Sequence, residues 1–72
     1  MDVLVEARDE SGLTQAEIAK RVGKDQSFMS LIENSQRRVD VLEFFALANA
    51  MEADALALLA KIAKRLPSKI QI

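Results

Sequence analysis

The residues of this chain best suited to specific chemistry are amides and hydroxyls, not nucleophiles. Gln26, Ser27, Ser30, Leu31 and Asn34 fall at i, i+1, i+4, i+5 and i+8, the spacing that places them on one face of a helix, with Met29 and Ile32 pointing the other way. A glutamine in the first turn of such a helix carries an amide that both donates and accepts, matching the N6 and N7 edge of adenine in a major groove. Asparagine and serine serve bases or phosphates equally. The 72 residues contain no cysteine and no histidine. Imidazole catalysis, thiolate chemistry, disulfides and the common zinc-ligand patterns are thereby removed together, and neither an enzyme nor a metal or cofactor site is expected.

That helix needs elements to hold it. Half of the residues are apolar, only two are glycine and one is proline, a composition that reads all-α. The length fits one domain with a modest core over residues 1–72. A first helix is expected from about Val3 to Ser11, with Asp2 as its cap and Gly12 ending it in a left-handed conformation. Thr14 and Glu17 form a Thr-x-x-Glu capping box, and Leu13 with Ile18 a hydrophobic staple, so a second helix starts at Thr14 and stops at Gly23. Asp25 caps a third through about Asn34, leaving a very tight turn between the two. Asp40 with Glu43 and Val39 with Phe44 repeat the box and staple for a fourth helix over about 41–50. Asp54 caps a fifth over 55–66 that Pro67 ends. Met29, Ile32, Phe44, Phe45, Leu47 and Met51 are the expected core.

Net charge is −1, which counts mildly against a nucleic-acid partner, but the positive excess gathers in residues 12–38 and 61–72 while 1–11 and 39–60 are acidic. Lys20, Arg21 and Lys24 serve either solvent or phosphate. No opening apolar stretch resembles a signal peptide and no long apolar run resembles a membrane span, so a cytoplasmic protein is expected.

The run Gly12-Leu13-Thr14-Gln15-Ala16-Glu17-Ile18-Ala19, with Val22-Gly23, Gln26-Ser27-Phe28-Met29-Ser30, Ile32-Glu33 and Arg38-Val39-Asp40, resembles the phage-repressor and Cro helix-turn-helix family, the lambda-repressor-like or xenobiotic-response-element type. The resemblance covers nearly the whole chain. It implies a compact five-helix DNA-binding domain with its helix-turn-helix at about 14–34, a double-stranded DNA partner and a homodimer. Position by position it implies that Gln15 holds a backbone phosphate and braces the reading Gln26. Ser27, Ser30 and Leu31 complete the set that meets bases, with Leu31 set against a thymine methyl. Arg8, Asn34, Arg37 and Arg38 are the implied phosphate contacts, although Arg38 equally suits a pair with Asp40 or Glu43. Arg8 and Glu33 match the family's partly buried ion pair. Ser35 and Glu52 depart from the family, standing where glycine is common, so either the turn is reshaped or a non-glycine residue takes a left-handed conformation.

The fifth helix carries two apolar stripes, Leu56, Leu59, Ala60 and Ala63 on one side and Leu58 and Ile62 on the other. The second, extended by Leu66, Ile70 and Ile72, is the expected dimer contact. Two functions follow: a small transcriptional regulator, a repressor by resemblance, that reads an operator, and a protein-interaction module of the same fold, an antitoxin or adaptor docking a protein partner through the fifth helix.

Overall fold

The computed structural model describes residues 2–70. Five α-helices follow one another among them: α1 Asp2–Ser11, α2 Gln15–Arg21, α3 Gln26–Glu33, α4 Val41–Ala50 and α5 Ala55–Arg65. Asp2 lies within the first turn of α1 and not before it. The other four starts are set by local capping. The Thr14 hydroxyl accepts from the Glu17 backbone N–H while the Glu17 carboxylate accepts from that of Thr14, and Asp40 with Glu43 makes the same reciprocal pair. Asp25 accepts from the N–H of Phe28, and Asp54 from those of Leu56 and Ala57.

Three of the helix ends share one solution. After α2 the N–H of Lys24 reaches the carbonyl of Ala19 (2.8 Å) and that of Gly23 the carbonyl of Lys20 (3.2 Å), the paired bonds of a Schellman motif. Gly23 supplies the left-handed residue, φ +76°. The same pair recurs after α3, from Gln36 to Leu31 and Ser35 to Ile32, and after α4, from Ala53 to Ala48 and Glu52 to Asn49. There the left-handed residues are Ser35 (φ 59°) and Glu52 (φ 54°). The turns thus keep the shape that glycine would favour, with an L side chain bearing the backbone cost and two carbonyl bonds opposing it.

Leu4, Ile18, Met29, Ile32 and Leu47 are fully enclosed, with Val3, Ala7, Ala19, Phe28, Phe44, Ala48, Met51 and Leu58 completing one core drawn from all five helices. Phe45, expected inside, is 43 % exposed and meets Phe44 edge-on with ring centres 6.0 Å apart. It follows Phe44 directly on α4, so one helical step turns it away from the buried face.

Two contacts clasp distant parts of the chain. Arg65 in the last turn of α5 donates to both carboxylate oxygens of Glu6 in α1 (2.7 and 3.1 Å). Arg21 at the end of α2 donates to the carbonyl of Ala50 (2.7 Å), one of the acceptors left open where α4 ends. Among the described residues no helix is long and apolar enough to cross a membrane.

Candidate nucleic-acid interface

Helix α3 divides as its spacing requires. Phe28, Met29 and Ile32 are buried, Gln26, Ser27, Leu31 and Asn34 are exposed and Ser30 is half-buried. Its position is fixed from below by those three apolar side chains and at its start by Asp25. The Ser27 hydroxyl also donates to the Asp25 carboxylate, and hydrogen bonds from Ser27 and Phe28 hold that carboxyl below its ordinary value.

A continuous polar chain runs from α1 to the exposed start of α3. Arg8 donates to Glu33 through Nε (2.6 Å to Oε2) and Nη2 (3.0 Å to Oε1), and through Nη1 to the carbonyl of Leu13 (3.2 Å). Gln15 Nε2 donates to the same Glu33 Oε1 (3.1 Å), and Gln15 Oε1 accepts from Gln26 Nε2 (3.4 Å). The Glu33 side chain is only 7 % exposed. Burial alone pushes its carboxyl up, but hydrogen bonds from Arg8 and Gln15 together with the Arg8 charge outweigh this, leaving it below the ordinary value. Hydrogen bonding to Glu33 in turn raises Arg8. The ion pair implied for Arg8 and Glu33 is present, made through Nε and Nη2, while Nη1 serves the Leu13 carbonyl. Arg8 thus ties α1 to the end of α3 and spends three of its five N–H donors within the chain.

The loop after α3 arranges its arginines differently from expectation. Arg37, not Arg38, pairs with Glu43, by two parallel bonds of 2.8 Å, and Arg37 Nη1 also donates to the Arg38 carbonyl (2.9 Å). The Arg37 guanidinium lies 4.8 Å from the centre of the Phe28 ring, and the Lys24 ammonium 5.8 Å from it. Arg38 is exposed and has no ion-pair partner among the described residues. Asn34 Nδ2 reaches Ser30 Oγ at 3.4 Å. Lys20 is exposed on α2, while Arg21 is held by Ala50. Around α3 the acids are thus engaged by caps or arginines, which offsets the acidic overall balance where a polyanion would approach.

The expected dimer stripe faces inward. Leu58 is 6 % exposed within the chain's own core and Ile62 packs half-buried against it. The opposite stripe is the open one, with Leu56 at 70 % and Leu59 at 47 % exposure. Leu66 and Ile70 are exposed, and Ile72 lies outside the described residues. Both stripes are apolar, so only the seating of α5 against α1 and α4 distinguishes them. On α4, Val41 and Leu42 are also exposed, and Val41, Phe45, Leu59 and Ile62 line a shared groove between the two helices.

Sequence reasoning missed the Gln15–Glu33 bond, the Arg21–Ala50 and Glu6–Arg65 clasps and the stacking of Arg37 on Phe28. All join residues far apart in the chain or across a loop, and no local spacing encodes them. A local clue did exist for Arg37, which stands three residues before the Asp40 that opens a capping box with Glu43.

Comparison with known proteins agrees with this geometry. A helix-turn-helix family profile matches residues 4–58. Among solved structures the chain is similar to an XRE-family like protein from Pseudomonas syringae pv. tomato str. DC3000, at 45 % identity and a TM-score of 0.81, over 92 % of this chain and 80 % of that one. No curated protein matches the chain. With five helices, a capped α2, a Schellman turn and an α3 that offers amides and hydroxyls, the chain belongs to the phage-repressor-like, XRE-type helix-turn-helix family of DNA-binding regulators.

Proposed function

We propose that this chain acts as a small cytoplasmic repressor that binds operator DNA as a homodimer, with α3 in the major groove. Gln26 is the central reader, its amide matched to adenine N6 and N7, with Ser27, Ser30 and Leu31 beside it and Leu31 suited to a thymine methyl. Gln15 braces Gln26 and lies near the backbone. Arg38, Arg37 and Asn34 are the phosphate contacts, Arg38 first because its charge is unpaired among the described residues. The observation that carries the reading is the exposed amide of Gln26, held by Gln15 on a helix anchored through Glu33 to α1.

The second copy belongs on the outward face of α5. Leu56, Leu59 and Ala63 follow the 3-4 spacing of a helix-pair seam, with Ala60 small enough to permit close approach. Two reading helices on successive major-groove faces require about 34 Å between half-sites, and a two-fold contact supplies that arrangement.

Selection of bound duplexes from a random library, with wild type and Gln26→Ala, tests the reading. A two-fold motif is expected, and loss of the amide relaxes one base position by about 1–3 kcal/mol. Absence of enrichment with wild type would overturn it. The exposure of Leu56, Leu59 and Leu42 favours a second reading, an interaction module that docks a protein through α4 and α5. Salt separates the two, since binding to DNA weakens steeply as salt rises whereas apolar docking does not.

A further inference from the structure

We propose that the Glu33 carboxylate, acting through Gln15, fixes the direction of the Gln26 side-chain amide and so determines which order of donor and acceptor on a base-pair edge helix α3 accepts. Glu33 is a positioning residue in this scheme, and the inference rests on Gln26 facing bases as proposed above.

A glutamine amide has an accepting end and a donating end, and nothing intrinsic to the side chain orders them. An ionised carboxylate only accepts. The end of Gln15 that faces Glu33 must therefore be its amino group, which stands 3.1 Å from Oε1. That choice turns the Gln15 oxygen toward α3, where it accepts from Gln26 Nε2 at 3.4 Å. Gln26 is then ordered in turn, with its amino group on the α2 side and its carbonyl as the opposite end. What remains for a base is one N–H nearer α2 and a carbonyl acceptor beyond it. Adenine offers N7 as acceptor and N6 as donor, so it fits with N7 toward α2, and a base pair turned end for end presents these groups in the wrong order. The starting point of the relay is itself held. Arg8 clamps both Glu33 oxygens, and at 7 % exposure the Glu33 side chain leaves water little room to reverse Gln15.

Glu33→Gln replaces an acceptor-only group by one that offers either end, and Gln15→Leu cuts the relay while leaving the Arg8–Glu33 pair intact. Arg8→Lys is the opposite control, weakening the ion pair but keeping the carboxylate. Two readouts are taken on the full chain: the side-chain amide NMR signals of the free protein, and the base preferences found by selection. Glu33→Gln and Gln15→Leu, each checked to be folded by thermal unfolding, are expected to shift the Gln26 amide signals. Both should also reduce the preference at one base pair about tenfold, with other positions unchanged. Arg8→Lys should lower the melting temperature and leave the base preferences alone, because the acceptor-only carboxylate remains. Unmoved Gln26 amide signals and unchanged preferences in the folded variants would overturn the relay. A relay visible by NMR with no enrichment by wild type would instead retire the DNA reading, and the role of Glu33 in base order with it.

Discussion

Arg37 grips Glu43 through two parallel hydrogen bonds of 2.8 Å, so the loop that leaves α3 is fastened to the first turn of α4. The same carboxylate closes the capping box with the Asp40 backbone at 3.1 Å. Hydrogen bonds from Arg37 and then from the Asp40 backbone lower the Glu43 carboxyl from its ordinary 4.5 to about 2. Because the folded value lies below the unfolded one, the stability it contributes is fully present above about 4.5 and is lost as pH falls toward about 2. Glu33, lowered by Arg8 and Gln15 against its burial, adds to stability with the same sign. Urea midpoints measured from pH 6 to pH 2.5 should therefore fall steadily below about pH 4.5. In Glu43→Gln that slope should be shallower, and an equal slope would remove Glu43 from the account.

Glu52 supports a second prediction. It is exposed, at φ 54°, and continues the carbonyl pattern that ends α4. Glycine takes this conformation without the side-chain cost, and its greater freedom in the unfolded chain cancels part of the gain. Glu52→Gly should raise stability by about 0.5–1 kcal/mol, or roughly 2–8 °C in melting temperature. Glu52→Val should lower it, because a β-branched side chain tolerates positive φ least.

The two faces of α5 separate packing from the proposed assembly. Leu58→Ala opens a cavity in the core and should cost about 2–5 kcal/mol in chemical unfolding. Leu59→Glu lies on the open face and should leave the melting temperature within a few degrees while shifting sedimentation to the monomer. Sedimentation identical to wild type in Leu59→Glu would rule out that face as the dimer contact.

Salt dependence distinguishes the two loop arginines. Arg38 has no ion-pair partner among the described residues, so Arg38→Ala should lower the slope of log affinity against log salt by about 1 on any DNA sequence. Arg37→Ala should additionally reduce stability, since it removes the fastening to Glu43 and the cation over Phe28.

Much of the architecture was legible because helix boundaries are written locally. Thr14 with Glu17, Asp25, Asp40 with Glu43 and Asp54 each act within one turn, and each stands where its helix begins. The face of α3 was legible for the same reason, since Met29 and Ile32 fix its inner side by spacing alone. Where two answers were chemically alike, local spacing could not choose. Leu58 and Leu59 are the same residue one step apart, and α1 and α4 decide which is buried. Arg38 is the nearer to Glu43 in sequence, five residues against six, yet the loop that begins with left-handed Ser35 brings Arg37 to it. The Gln15–Glu33 bond spans eighteen residues, and it depends on a docking of α2 against α3 that no single helix specifies.

The bond from Arg21 to the Ala50 carbonyl joins the two halves of the molecule. It fastens the end of α2, and through the tight turn α3, to the end of α4, directly before α5. Under the proposed pairing on α5, two copies would hold their two α3 helices as the jaws of a fixed caliper. Each base pair inserted between half-sites displaces one jaw by about 3.4 Å and turns it by about 34° around the duplex. Tolerance of such insertions is thereby a gauge of rigidity, and loosening Arg21 should widen the set of spacings that the caliper accepts.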